Sequence, residues 1–131
     1  MAQQPLELIL ARNLIGSLST PAVLVDSDGA VAFFNQAAGR LIGRQFEETG
    51  RLSPEEWSER FRPVDEHDQP VSLDELGLVR AVEGGRPGSA TFGIVGSGGG
   101  QLKLQVTAMP LSGISGFHGA VVLLLPLDGE A

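Results

Sequence analysis

The chain contains no cysteine. That one absence removes disulfide bridges, zinc–thiolate sites and cysteine nucleophiles together, and it agrees with a cytoplasmic location. Long apolar runs are also missing. The longest, residues 120–125, is strand-sized, far short of the roughly 18–20 residues of a membrane span. The N-terminus has no basic segment, and Glu7 and Arg12 interrupt its apolar residues, so neither a signal peptide nor a membrane partner is expected. Positive charge is scarce: 9 Lys and Arg stand against 16 Asp and Glu, a net charge of −7. Residues 47–83 hold 11 acids and 4 basic residues, so the middle carries the whole imbalance. Phosphate backbones are bound through basic patches, so nucleic acid is not an expected partner. The acidic middle reads as a solvated helical face, with an acidic docking surface as the alternative.

At 131 residues the chain is one domain, large enough to bury a core without metal or disulfide staples. The informative stretch is residues 21–43. Residues 22–25 form a short apolar run, Asp26-Ser27-Asp28-Gly29 is a turn, and residues 30–34 are a second apolar run, which together predict a β-hairpin. Asn35 stands at the N-cap position of a short helix over 36–42, with Gly43 as its stop. Residues 6–18 predict an amphipathic helix. Leu10, Leu14 and Leu18 fall at i, i+4 and i+8, Leu8, Ala11 and Ile15 widen that face, and Thr20-Pro21 ends it. Such a face is wider than one sheet contact needs.

Two further helix starts carry their own chemistry. In Ser53-Pro54-Glu55-Glu56 a capping box combines with Pro at the first helical position, and Leu52 and Trp57 make a hydrophobic staple. Trp57 and Phe61 give that helix its buried edge. Ser72-Leu73-Asp74-Glu75 repeats the device for a helix reaching about Val82, with Leu73, Leu76, Val79 and Val82 inward. From Gly88 the texture becomes β: strands over 89–95, 101–109 and 117–125 with short connections must form an antiparallel meander.

The order of helix, two strands, several short helices and three strands predicts an α+β domain with a five-stranded antiparallel sheet and helices across one face. It resembles a PAS domain, the sensory and dimerisation module of signalling proteins. The resemblance rests on Val25-Asp26-Ser27-Asp28-Gly29, on Phe34-Asn35-Gln36-Ala37-Ala38, on residues 70–76 and 81–87 before the third strand, and on residues 116–126 as the final strand. It divides the chain into an N-terminal dimerisation helix (1–20), a PAS-like domain (21–126) and a C-terminal tail (127–131).

The resemblance implies a pocket between sheet and helices. By strand alternation Val23, Val25, Ala32 and Phe34 are expected to face it, with Leu41, Leu76, Val79 and Leu104 as further lining; ordinary core packing is the competing reading of each. It also implies a homodimer through the first helix, for which the interface residues are Leu10, Leu14, Ile15 and Leu18. The family's flavin-adduct and thiol-linked chromophores need a cysteine and are excluded. Its haem-binding members use a histidine of the helix before the third strand, and residues 73–83 contain none, so haem is not expected.

Other candidates for chemistry dissolve under the same scrutiny. Asp65-Glu66-His67-Asp68 is a solvated turn, since four adjacent residues cannot converge on one ion. Residues 96–100 are a glycine-rich hairpin with no helix after them, and form neither a P-loop nor a dinucleotide fingerprint. His118 has no partner that would make it a base. No catalytic or metal-ligating set emerges, so an enzyme is not expected. The expected function is a sensor that binds a small apolar or amphipathic ligand, dimerises, or does both, and relays to a separate effector. The alternative is an interaction module with a filled core.

Overall fold

In the computed structural model the described residues are 6–26, 28–65, 67, 69–71, 88–95, 100–112 and 118–127. The second capping box, the helix expected over 73–83 with Leu76 and Val79, and residues 96–99 of the glycine-rich hairpin loop lie outside them. Helix α1 (Leu6–Gly16) precedes strands β1 (Ala22–Val25) and β2 (Val31–Phe34). Short helices α2 (Gln36–Ile42), α3 (Phe46–Thr49) and α4 (Pro54–Phe61) follow, then strands β3 (Gly88–Val95), β4 (Gln101–Ser112) and β5 (His118–Pro126). The strands form one antiparallel sheet in the order β2-β1-β5-β4-β3. The expected α+β architecture is therefore present.

Local chemistry sets the elements. The hairpin turn closes through the Asp26 N–H to the Ala30 carbonyl (2.9 Å) and the Gly29 N–H to the Asp26 carbonyl (3.0 Å). Gly29 sits at φ +80°, a conformation that only glycine adopts without strain. The Asp26 carboxylate accepts the N–H groups of Asp28 and Ala30 at 3.0 and 3.1 Å, and its second oxygen meets Arg51 at 2.9 Å. Helix α4 begins as its sequence predicts: Ser53 Oγ accepts the Glu56 N–H, and a Glu56 carboxylate oxygen accepts the Ser53 N–H at 2.8 Å.

The sheet has two covered faces. On one, Val25, Val31, Phe34, Leu104, Val106 and Val122 pack with Trp57 and Phe61 of α4 and with Leu52. On the other, Ala22, Leu24 and Val121 pack with Ala11 and Ile15 of α1. This arrangement corrects the expected wide interface on α1. Ile15 is 1 % exposed and belongs to the chain's own core. Leu10 and Leu14, at 57 % and 63 % exposed, point away from it, and Leu18 is also exposed. The apolar surface is wide because it serves two directions. The helix ends at Gly16, and two i to i−3 bonds, from the N–H groups of Ser17 and Leu18, tighten its last turn.

A second correction concerns Ala32. Strict alternation puts it beside Phe34, but the pairing runs Val23↔Phe34, Leu24↔Phe33, Val25↔Val31, and skips Ala32. Ala32 is the extra residue of a β-bulge, and the bulge resets the alternation. Val31 thus takes the face that Ala32 was expected to take, and Ala32 packs with the cluster beneath α1.

Candidate functional site

The site is a cavity of about 70 Å³ between the sheet and the helices. Its sheet wall comes from Val23 and Val25 of β1, Val31 of β2, Phe92 and Ile94 of β3, Leu104 and Val106 of β4, and Val122 and Leu124 of β5. Ile42 of α2 and Trp57 and Phe61 of α4 close it from the helical side. The β-strand contributors alternate along their strands, so a period of two places every second residue in the wall. Of the eight residues expected to line a pocket, Val23, Val25 and Leu104 are in this wall. Phe34 is buried in the same core and Leu41 packs against it, both behind the lining. Ala32 is on the opposite face, as described above. The missed contributors include Val31, hidden by the bulge, and Trp57 and Phe61, whose i, i+4 spacing marked a buried edge without indicating what it faced.

The wall is carbon throughout among the described residues. Such a surface favours an apolar guest, because a polar group taken from water there loses hydrogen bonds that nothing returns. The cavity carries a stability cost of about 2 kcal/mol, taking ~24 cal/mol per Å³. Trp57 adds a second cost: its indole Nε1–H is buried and has no acceptor, the one such side-chain atom among the described residues. An unpaired buried donor costs about 1–3 kcal/mol.

Asn35 links the two faces of the domain. It is 2 % exposed. Its Oδ1 accepts the N–H of Ala38, which caps α2 (3.0 Å), and the N–H of Ala22, which begins β1 (3.1 Å). Its Nδ2 donates to the carbonyls of Ile15 and Thr20, both at 2.9 Å, with the Leu18 carbonyl at 3.4 Å. One side chain therefore ties the C-terminal end of α1 to the start of the sheet and to α2, the helix that carries Ile42 into the cavity wall. A second link is aromatic. The Arg12 guanidinium of α1 lies 4.6 Å from the Phe33 ring centroid and 5.5 Å from that of Phe46, and Phe46 meets Phe33 and Phe34 edge to face. Sequence spacing does not reveal either link beyond the cap itself.

Two carboxyls are held below their ordinary values. Glu56 is lowered chiefly by the Ser53 backbone N–H and then by its hydroxyl. Asp65 is lowered by the N–H groups of Gln69 and His67, which it accepts at 3.0 and 2.8 Å. Both act in capping and turn formation. Among the described residues no group of three or more His, Asp or Glu could hold a metal ion, and no helix is long and apolar enough to cross a membrane.

Sheet order, the helices between β2 and β3, and the cavity beneath them define the PAS fold, and the chain has it. No family model and no curated protein matches the sequence. Among solved structures, the PAS domain of nitrogen regulation protein NR(II) from Vibrio parahaemolyticus is similar, with TM-score 0.63 and 16% identity over 90% of this chain and 98% of that one. A fungal LOV domain photoreceptor is similar, with TM-score 0.63 and 24% identity over 91% and 89%. The VqmA dimer of Vibrio cholerae is similar too, with TM-score 0.64 and 18% identity; the match covers 98% of this chain but only 54% of VqmA, so the chain spans about half of that protein's length. At these identities the likeness is one of fold. The absence of cysteine from the sequence excludes a thiol-linked flavin or other chromophore whatever the fold resembles.

Proposed function

We propose that this chain is a cytoplasmic, non-catalytic sensor module in which a small apolar molecule occupies the cavity between sheet and helices and α1 carries the resulting change to a separate signalling effector. The observation that carries this reading is the cavity between the sheet and the helices that follow β2, whose described lining is all carbon. The links through Asn35 and Phe46 support the relay, because they connect cavity-facing elements to α1 on the opposite face. A VqmA structure is described as bound to DPO, which lends the ligand-binding reading an example on the same fold.

A second reading, a dimerisation module, is favoured by the outward face of α1, where Leu10 and Leu14 are more than half exposed. Exposed apolar patches on helices commonly have a partner, and a second copy of this chain is the partner proposed. Native mass spectrometry on freshly purified protein, with an absorbance spectrum of the same sample, tests both readings. A retained mass above the chain supports the sensor. A dimer with no added mass, and no response to small apolar probes, favours the second reading.

A further inference from the structure

The cavity and the unpaired indole donor are two separate defects in one wall. Trp57 is 94 % buried (6 % exposed), its ring lines the cavity, and its Nε1–H has no acceptor among the described residues. Every other buried side-chain nitrogen or oxygen in those residues is hydrogen-bonded, as the five contacts of Asn35 illustrate. A fold that satisfies its other buried polar atoms among the described residues, and leaves one donor unpaired on a ring that lines this apolar cavity, is arranged for an acceptor that those residues do not supply. Charge on the guest is disfavoured, since no ionisable group among the described residues lines the cavity. Size is restricted too: a cavity of about 70 Å³ is smaller than the roughly 150 Å³ apolar cavity that admits benzene.

We propose that the guest of this cavity is a small uncharged molecule with a hydrocarbon body and a single hydrogen-bond acceptor, such as a short-chain ketone, and that Trp57 Nε1–H is the donor that selects it. The proposal rests on the sensor reading and names the chemistry of its ligand. The described wall is carbon before the guest arrives, so the indole turns its N–H edge toward the cavity as the guest enters. Trp57 is the only tryptophan in the chain, which makes it both the selecting group and the reporter.

The test compares butanone with 2-methylbut-1-ene, which has a methylene in place of the carbonyl oxygen. Binding is read from the single indole N–H resonance and from ligand-detected magnetisation transfer. The expected result is that butanone binds about tenfold more tightly, the advantage of one neutral hydrogen bond, and moves the indole N–H resonance downfield, whereas the alkene does not. Replacing tryptophan biosynthetically by benzothienylalanine changes residue 57 alone and exchanges its N–H for sulfur at nearly constant shape. That protein, and Trp57→Phe as a second variant, should lose the preference for butanone and bind the alkene at least as tightly, because the carbonyl then gives up its hydrogen bonds to water with none returned. Binding of the alkene by the unaltered chain as tightly as the ketone or more so, with the indole resonance unmoved, would overturn the proposed donor and leave the sensor reading standing. Binding of neither probe would overturn both, and the cavity would be a packing defect.

Discussion

Asn35 looks like a helix cap, and a cap alone would accept aspartate in its place, because Asp and Asn are equally good at that position. The structure gives it a second duty as a donor to the carbonyls of Ile15 and Thr20. Asn35→Asp would keep both accepted bonds and turn a carboxylate oxygen toward those carbonyls. It should therefore destabilise the fold by about 3 kcal/mol, counting lost buried hydrogen bonds and the charge set among them. Asn35→Ala should cost a comparable amount. Urea unfolding checks both; an Asp variant as stable as the parent would reduce Asn35 to a simple cap. The cap was legible in the sequence because its partner, Ala38, is three residues away. The ties to Ile15 and Thr20 were not, because they span 20 and 15 residues and depend on how α1 docks. Ala32 was misplaced for a related reason: a bulge changes the period without changing the composition, and alanine packs on either face.

At the scale of elements, α4 and α1 lead to different measurements. The capping box of α4 holds the Glu56 carboxyl below its ordinary value of 4.5. A carboxyl depressed in the folded state contributes stability above its unfolded value, and that contribution is lost as pH falls through the lowered folded value. Stability should therefore decline on acidification below the ordinary carboxylate range, with Asp65 acting in the same direction. Glu56→Gln keeps an acceptor for the Ser53 N–H and should make the decline shallower, as chemical denaturation across acidic pH would reveal. An unchanged slope would mean that Glu56 adds nothing to it. For α1, the double substitution Leu10→Glu, Leu14→Glu changes only outward positions, while Ala11 and Ile15 continue to hold the helix on the sheet. The expected product is a folded monomer. Light scattering that still finds a dimer would remove this helix face from the interface. Periodicity made α1 visible as amphipathic; it did not show that its apolar surface divides between the chain's own sheet and the outside, since both halves consist of the same residue types.

For the molecule as a whole, the cavity is the feature that tests whether open space is retained for use. Val106 is buried and in the wall. Val106→Ile adds one methylene, worth about 0.8 kcal/mol of burial if it fits the space. Thermal unfolding should then show a higher midpoint, together with loss of any small molecule that the parent protein retains. A lower midpoint would mean that the wall has no room for the added group. The sheet order has a further consequence, this one for synthesis. β5, the last of the described strands to leave the ribosome, lies in the middle of the sheet between β1 and β4. Until it arrives, the β1–β2 hairpin and the β3–β4 pair share no strand contact, and Leu24 and Val106 have no common sheet to be buried in. Non-local pairing of this kind makes folding wait for the chain. A nascent chain stalled before residue 118 should remain protease-sensitive along its whole length, and release of β5 should protect the two halves at once.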